Sequence, residues 1–193
     1  MPSSVQYFNN IFSKHILSYS PKKVLDVGCG HGKLGRIVRE LMPDCEIHGV
    51  EPEKSYLDDF PIQNDKGLKD IYNKVYNKDI LSFIKEDMNG QDTYDIVICG
   101  DVLEHMLMSE AQDVTNFFSY RCGWFIAQFP SKAAQYAVDG INWEVHRANL
   151  DLQDFLRYNI QYYIKLKDHY GIYHHYMLMS MDLCEGSTSV LGA

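Results

Sequence analysis

The stretch Val24-Leu25-Asp26-Val27-Gly28-Cys29-Gly30-His31-Gly32-Lys33-Leu34-Gly35 decides the fold of this chain. A short apolar run leads into three glycines at alternate positions, and apolar residues at helical spacing follow. This order predicts a strand, a tight turn and a helix. Glycines suit positions with a positive φ or a closely packed ligand, and a helix N-terminus presents free N–H groups. The stretch predicts a nucleotide-binding turn, although a purely structural glycine turn fits the same residues.

The spacing of the glycines separates three kinds of nucleotide-binding turn. A dinucleotide fingerprint requires Gly-x-Gly-x-x-Gly, but Lys33 stands three residues after Gly30. A Walker A loop requires Gly-Lys followed by Ser or Thr, which this turn lacks. The remaining pattern, Asp-x-Gly-x-Gly-x-Gly from Asp26 to Gly32, resembles motif I of the class I S-adenosylmethionine-dependent methyltransferases.

This resemblance implies an α/β fold, a three-layer Rossmann-like sandwich around a seven-stranded, mostly parallel sheet with a C-terminal antiparallel hairpin. It also implies the cofactor S-adenosylmethionine and the product S-adenosylhomocysteine. The expected cofactor contacts are Asp26, Gly28, Cys29, Gly30, Gly32, Glu51, Pro52, Asp79, Ile80, Asp101 and Val102.

Length and composition predict one globular domain. The chain has 193 residues, of which 46% are hydrophobic and 23% charged. We expect a single domain over residues 1–184, with residues 1–20 as an N-terminal covering helix and residues 185–193 as a flexible tail. That helix covers one face of the sheet or forms a lid over the cofactor.

Charge, hydropathy and cysteine usage restrict the partners. A formal net charge of -8 disfavours binding to nucleic acid, which needs clustered Lys and Arg. No run approaches the roughly 18 apolar residues of a membrane span, and no leader peptide is recognisable. The five cysteines form no CxxC pair, which favours reduced thiols. A cytoplasmic protein without membrane partners is expected.

Two acidic residues follow the next predicted strands. Glu46–Val50 reads as a second strand and ends at Glu51, about 20 residues after the glycine turn, where nucleotide folds place the carboxylate that binds ribose. A solvated loop glutamate is the alternative. The third strand is predicted from Val75 to Asp79-Ile80, where the resemblance implies contacts to the adenine. An N-cap of the following helix is the competing interpretation of Asp79.

The fourth strand carries a second motif. Tyr94 to Asp101 is the most continuous β run, as expected of a central parallel strand buried on both faces. It continues into Asp101-Val102-Leu103-Glu104-His105, which resembles motif IV of the same methyltransferases. Because ligands bind beyond the carboxyl ends of such strands, Asp101, Glu104 and His105 are expected to border cofactor and acceptor. The Glu104-His105 pair either takes part in proton transfer or only fixes the loop.

The region after a predicted fifth strand, Trp124–Pro130, is expected to bind the acceptor. Its candidate residues are Tyr136, Trp143, His146 and Arg147, ahead of a predicted helix from Leu152 to Tyr158. The segment Asn142–Leu150 resembles small methyltransferases of glycan and nucleotide-sugar pathways, some of which are fused to glycosyltransferases. This resemblance implies a small-molecule or glycan acceptor and a possible glycosyltransferase partner.

Methyl transfer to an alcohol needs a group that accepts the hydroxyl proton, and histidine suits this task near neutral pH. His146 is the first candidate, and Asp101 and His105 are the others. A histidine that is only hydrogen-bonded just ahead of the next helix is the alternative interpretation of His146. We therefore predict an O-methyltransferase acting on a sugar or glycan hydroxyl. Methylation of another small metabolite at oxygen, nitrogen or carboxyl, and a non-catalytic cofactor-binding module, are the alternatives.

Metal binding has weak support in the sequence, and no residue is assigned as a ligand. A divalent metal near Asp101 could orient vicinal hydroxyls of a sugar, but no motif establishes it. The last two predicted strands, Gln161–Leu166 and Tyr173–Met181, form an antiparallel pair. Within the second, His174 and His175 are adjacent and should point to opposite faces, so they do not make a joint metal site.

Overall fold

A computed structural model describes residues 6–58, 68–88, 92–131 and 133–181. The strands are β1 (Lys23–Val27), β2 (Glu46–Val50), β3 (Lys74–Tyr76), β4 (Tyr94–Gly100), β5 (Cys122–Ser131), β6 (Asn159–Lys167) and β7 (Tyr173–Ser180). The helices are α1 (Asn9–Tyr19), α2 (Lys33–Leu41), α3 (Lys54–Asp58), α4 (Leu68–Ile71), α5 (Ile80–Glu86) and α6 (Met108–Phe118). Short 3₁₀ helices occupy Gln6–Phe8, Leu103–His105, Asn142–Glu144 and Leu152–Phe155. The predicted tail, residues 185–193, lies outside the described residues.

The seven strands form one sheet in the order β3-β2-β1-β4-β5-β7-β6. Strands β1 to β5 are parallel to one another, and β7 lies antiparallel between β5 and β6. The predicted mostly parallel sheet with a C-terminal antiparallel hairpin is confirmed. The chain runs outward in opposite directions from β1 and β4, so the point between these strands is where an open α/β sheet binds its ligand.

The register brings three strand ends to the same level. Val27, the last residue of β1, pairs with Val50 of β2 on one side and with Cys99 of β4 on the other. The residues that follow these strands therefore meet at one edge of the sheet. This edge carries the glycine turn, Glu51 and Asp101.

Hydrophobic side chains pack on both faces of the sheet, which gives three layers. On β4, Ile96 and Ile98 belong to one core, whereas Val97 and Cys99 belong to the other. Helices α1 and α2 cover the first face, and α5 and α6 cover the second. This double coverage explains why the β4 sequence is apolar at consecutive positions.

The N-terminal helix packs on the sheet. Phe8, Phe12 and Ile16 are completely buried at the spacing the sequence predicts, and the Phe8 ring contacts Tyr176 of β7 at 5.6 Å between centroids. The predicted start of the helix at Val5 lies outside the described residues. Within those residues, α1 contributes nothing to the large cavity described below.

Two predicted elements are shorter than expected. The third strand ends at Tyr76, because Asp79 caps the helix that begins at Ile80. The predicted helix from Leu152 to Tyr158 is wrong, since only a 3₁₀ turn forms over Leu152–Phe155. Asp151 and Asp154 cap this turn reciprocally, and the chain then enters β6 directly. Neither difference moves the edge of the sheet that carries the site.

No helix within the described ranges combines the length and the apolar composition that crossing a membrane requires.

Candidate functional site

A cavity of about 460 Å³ opens beyond the carboxyl ends of the central strands. It brings together most of the residues that the sequence predicts for the cofactor: Asp26, Gly28, Cys29, Gly30, Glu51, Pro52, Asp79, Ile80, Asp101 and Val102. Trp143, His146 and Arg147, which the sequence predicts for the acceptor, line the same cavity, as does His105. Gly32 and Tyr136 do not line it.

The glycine turn needs its glycines for both conformation and space. Gly28, Gly30 and Gly32 all have a positive φ, of 63°, 48° and 75°. The Gly28 N–H donates a 2.7 Å hydrogen bond to the carbonyl of Val50, which draws the turn against β2. A Cβ atom on Gly28 would overlap the Cγ2 atom of Val102. The turn is therefore packed too tightly for any side chain at this position.

Gly32, a predicted cofactor contact, lies at the start of α2, behind the cavity lining. It is the left-handed N-cap of α2, and a Cβ atom there would lie 2.9 Å from Leu68 Cδ2. Because Gly32 has no side chain, α4 can pack closely against the turn. Tyr136 also differs from its prediction, because 85% of its surface is exposed and it lies away from the cavity.

Asp26, near the end of β1, holds the glycine turn in place through hydrogen bonds. Its Oδ2 atom accepts hydrogen bonds from the Gly35 N–H at 3.0 Å and from the Tyr72 hydroxyl at 2.6 Å. Burial raises the pKa of this carboxyl to about 6 in spite of these two hydrogen bonds. Asp26 thereby joins the end of β1 to the first turn of α2.

Tyr72→Phe is expected to lower the free energy of unfolding by about 1–2 kcal/mol, because the buried Asp26 carboxylate loses a hydrogen-bond donor. Denaturant unfolding measures this change. Tyr170→Phe is the matched control, since Tyr170 is exposed. Equal stability of the two variants would contradict the role of the Tyr72 hydroxyl.

Glu51 lies beside the glycine turn. Its Oε2 atom accepts a 2.9 Å hydrogen bond from the Gly30 N–H, and Oε1 accepts one of 2.9 Å from the Glu53 N–H. The side chain is buried, which raises the pKa of its carboxyl to about 7. A solvated loop glutamate is thus the wrong description of Glu51.

Asp79 has the capping role that competes with an adenine contact. Its carboxylate accepts hydrogen bonds from the Ser82 N–H at 3.0 Å and from the Ser82 hydroxyl at 2.6 Å. The same side chain lines the cavity together with Ile80. Because each carboxylate oxygen has two lone pairs, the cap leaves capacity for a further hydrogen bond.

Two backbone hydrogen bonds assemble a cluster of Glu104, His105 and His146 on the opposite side of the cavity. The N–H groups of Arg147 and Ala148 both donate to the Glu104 carbonyl, at 2.7 and 3.0 Å. They fix the loop after β5 against the 3₁₀ turn after β4. The rings of His105 and His146 meet edge to face at a centroid distance of 4.8 Å.

Each histidine of the cluster is oriented by a backbone carbonyl. His146 Nδ1 lies 2.8 Å from the Ala133 oxygen, and His105 Nδ1 lies 3.4 Å from the Val145 oxygen. Because a carbonyl only accepts, each Nδ1 carries the proton, and Nε2 of the neutral ring has a free lone pair. Burial and the neighbouring His146 lower the pKa of His105, which favours this neutral form.

Glu104 is almost completely buried, with 1% of its surface exposed. Within the part of the chain that the structure describes, neither carboxylate oxygen has a hydrogen-bond partner. Burial and then the charge of Asp101 raise the pKa of this carboxyl well above its usual range. Asp101 follows β4 with a φ of 54°, an uncommon conformation for a residue other than glycine.

Three residues that the sequence analysis did not assign to the site, Tyr56, Gln135 and Glu144, also line the cavity. The Tyr56 hydroxyl on α3 donates a 2.7 Å hydrogen bond to Glu144 Oε1, which links α3 to the 3₁₀ turn at 142–144. The Glu144 carbonyl accepts a 2.7 Å hydrogen bond from Gln135 Nε2. Tyr56 lies where the hydrophobic pattern is weak, so no sequence signal pointed to it.

Comparison with known proteins gives the family and the fold. Residues 25–120 match the family model described as a methyltransferase domain. A comparison with curated proteins gave no match. Among solved structures, the O-methyltransferase TomG from Streptomyces achromogenes, involved in tomaymycin synthesis and bound to S-adenosylmethionine, is similar with a TM-score of 0.61 and 8% identity. The match covers 93% of this chain and 82% of TomG.

Two further structures have the same fold. The N-terminal domain of EvdMO1, determined in the presence of S-adenosylhomocysteine and D-fucose, has a TM-score of 0.60 and 10% identity, over 93% of this chain and 84% of that one. A candidate O-methyltransferase from Nostoc punctiforme has a TM-score of 0.59 and 14% identity, over 89% of this chain. The present chain spans only 55% of the Nostoc protein. At such identities the likeness concerns the fold.

Proposed function

Because this chain is a class I S-adenosylmethionine-dependent methyltransferase, we propose that it transfers the methyl group to a hydroxyl of a sugar or glycan. The cluster of Glu104, His105 and His146 in the cofactor cavity carries this proposal. A hydroxyl must lose its proton when it is methylated, whereas a carboxyl acceptor is already ionised at neutral pH. Groups that activate a hydroxyl are thus useful for an alcohol acceptor.

Two observations support a sugar among the possible alcohols. Trp143 lines the cavity with 46% of its surface exposed, and an aromatic face of this kind can pack on the apolar side of a sugar ring. The EvdMO1 domain, which has the same fold, was determined in the presence of D-fucose. A glycosyltransferase partner and a cytoplasmic location stay predictions from the sequence.

The cavity has the features that S-adenosylmethionine requires. Gly28 and Gly30 of the glycine turn line the cavity, and because they have no side chains their backbone can lie close to a bound cofactor. Glu51 is the proposed partner of the ribose hydroxyls, and Asp79 with Ile80 is proposed to contact the adenine. The cofactor supplies a methyl group on a positively charged sulfur. The end of β4, at Asp101, faces this part of the cavity.

The chain's own residues align and activate the acceptor. The loop that carries Trp143 and His146 holds the acceptor hydroxyl beside the cluster, so that its oxygen can approach the methyl carbon in line with the bond to sulfur. The hydrogen bond between Tyr56 and Glu144 holds two residues of the cavity lining together. The hydroxyl proton is released at the cluster.

His146→Ala is expected to lower turnover about 100-fold, because the cluster loses the imidazole that faces the acceptor. The affinity for S-adenosylmethionine should stay within about twofold, since the adenine and ribose contacts lie elsewhere. Initial rates with labelled methyl donor and isothermal titration with the cofactor measure the two effects. His169→Ala, in the exposed β6–β7 turn, is the control. Turnover equal to that control would remove His146 from the mechanism.

A transfer assay against a panel of sugars, glycans, carboxylic acids and amines tests the acceptor class. The proposal predicts labelled products whose methyl group resists mild base, as an ether does and a methyl ester does not. Base-labile products, or transfer to amines alone, would overturn it. Cofactor binding without transfer to any hydroxyl compound would favour the non-catalytic module.

A further inference from the structure

We propose that Glu104, His105 and His146 bind one divalent transition-metal cation, which holds the oxygen of the acceptor hydroxyl. The metal site stands on the geometry of these three residues. Its part in catalysis rests on the proposed function, because an oxygen acceptor is what the cation would bind.

The three side chains converge on one point. One carboxylate oxygen of Glu104 and one ring nitrogen from each histidine all lie within 4.8 Å of one another. A cation with ligand distances of about 2.0–2.2 Å draws such atoms to roughly 3–4 Å from each other. The three atoms therefore need to approach one another by about 1 Å to share one cation.

The buried carboxylate supplies independent support. Glu104 has 1% of its surface exposed, and among the described residues neither of its oxygens has a hydrogen-bond partner. His105 Nε2 lies 4.0 Å from Glu104 Oε1, which is beyond hydrogen-bond distance. A buried carboxyl group without a hydrogen bond is costly, and native structures rarely keep one without a reason. Glu104 lines the cavity that also contains the two histidines. A cation there provides the missing interaction.

The histidines are oriented as metal ligands are. Each ring uses Nδ1 to donate to a backbone carbonyl, at Ala133 for His146 and at Val145 for His105. A hydrogen bond from the nitrogen that does not bind the metal commonly supports a metal-binding imidazole, because it fixes the ring orientation and leaves Nε2 for the metal. Both carbonyls belong to the loop that the Glu104 carbonyl holds in place. The fold thus positions the ligands and their supports together.

The donor set restricts the cation. Two imidazole nitrogens and one carboxylate favour Mn²⁺, Fe²⁺, Co²⁺ or Zn²⁺ over Mg²⁺ and Ca²⁺, which prefer oxygen ligands. Three protein ligands leave coordination positions open for the acceptor. One hydroxyl, or two neighbouring hydroxyls of a sugar, can fill them.

The cation changes the part that His146 plays in the reaction. Its Nε2 then serves as a ligand, and the metal-bound hydroxyl releases its proton to water because the cation lowers the hydroxyl pKa. A lone pair of the resulting oxygen forms the bond to the methyl carbon, and the electrons of the broken carbon–sulfur bond stay on sulfur. The products are the methyl ether, S-adenosylhomocysteine and one proton.

Titration of the chelator-treated protein with MnCl₂ tests the site. We expect one equivalent to bind, with an affinity that falls at least tenfold in Glu104→Gln and in His146→Ala. His169→Ala should bind like wild type, because His169 lies in an exposed turn. Unchanged affinity for S-adenosylmethionine shows that each variant is folded. Binding that persists in both variants would overturn the proposal.

Pulsed electron paramagnetic resonance of the wild-type Mn²⁺ complex gives a test without any variant. Histidine nitrogen couplings are expected, and a spectrum with oxygen ligands alone would overturn the site. Measuring metal binding and methyl ether formation separately distinguishes a failure of the metal proposal from a failure of the proposed function. Metal binding without formation of any methyl ether refutes the O-methyltransferase, whereas ether formation unaffected by chelator, with no bound Mn²⁺, refutes the metal.

Discussion

Gly28→Ala is expected to abolish detectable cofactor binding and to lower the free energy of unfolding by about 3 kcal/mol. Gly28 has a φ of 63°, which costs other residues about 1 kcal/mol. The added Cβ would also overlap Val102 Cγ2, and Val102 itself lines the cofactor cavity. Relief of this overlap pushes either the turn or Val102 into the space of the cofactor. Isothermal titration and denaturant unfolding measure the two effects.

Gly140→Ala is the matched control for this prediction. Gly140 has a φ of 79°, but among the described residues other than its chain neighbours no heavy atom lies within 4 Å of the position of its Cβ. This variant should therefore lose only about 1 kcal/mol, the cost of the backbone conformation. In the double variant Gly28→Ala/Val102→Ala the overlapping atom is removed, so about 1–2 kcal/mol should be recovered relative to the sum of the single variants. Equal costs for Gly28→Ala and Gly140→Ala would contradict the close packing.

The sheet was predictable because buried strands have a simple pattern. The predicted bounds of β2, Glu46–Val50, match the structure, and those of β4 differ by one residue. Both strands lie between two other strands and are covered by helices on both faces. Their residues are therefore buried at consecutive positions, and an apolar run in the sequence indicates such a strand. Once the strands were placed, the topology put Glu51 and Asp101 at the ligand-binding edge without further information.

Contacts between distant residues could not be predicted in this way. Gly32 and Asp26 lie in a motif that suggests ligand contacts, and the structure also packs Gly32 against Leu68 and bonds Asp26 to Tyr72, about 40 residues further on. The sequence does not show which face of a turn packs against which helix. The motif therefore could not indicate that Gly32 packs against Leu68 and does not line the cavity.

The loop after β5 shows the same limit. Tyr136 and His146 were both predicted to face the acceptor, but only His146 lines the cavity. The direction of His146 depends on the hydrogen bonds that join the Glu104 carbonyl to the following residues of the loop. The pairing of His105 with His146 arises from this tertiary contact, which no local pattern encodes.

Glu51→Ala is expected to reduce the affinity for S-adenosylmethionine about 1000-fold, since two charge-assisted hydrogen bonds to the ribose would be lost. The same change removes the acceptor of the Gly30 N–H, so the turn also loses a support. Glu53→Ala is the control, because Glu53 is the neighbouring acid and does not line the cavity. Isothermal titration distinguishes the variants. An affinity within tenfold of the control would rule out Glu51 as the ribose ligand.

The pH dependence of cofactor affinity tests the same assignment through the protonation of Glu51. Burial raises its pKa to about 7, so between its ordinary value and pH 7 the folded protein retains a proton that the unfolded chain has lost. The contribution of this carboxyl to stability therefore falls as pH rises through that window.

Ribose hydroxyls donate best to the ionised carboxylate, so cofactor affinity should rise with pH up to about 7, by at most tenfold per unit, and then level off. The side chain at position 51 cannot ionise in the Glu51→Gln variant, which serves as the control. Asp26, whose pKa of about 6 lies in the same range, is present in both proteins. A wild-type profile that matches the Glu51→Gln profile would assign the titration to Asp26 and leave Glu51 without a role in binding the ribose.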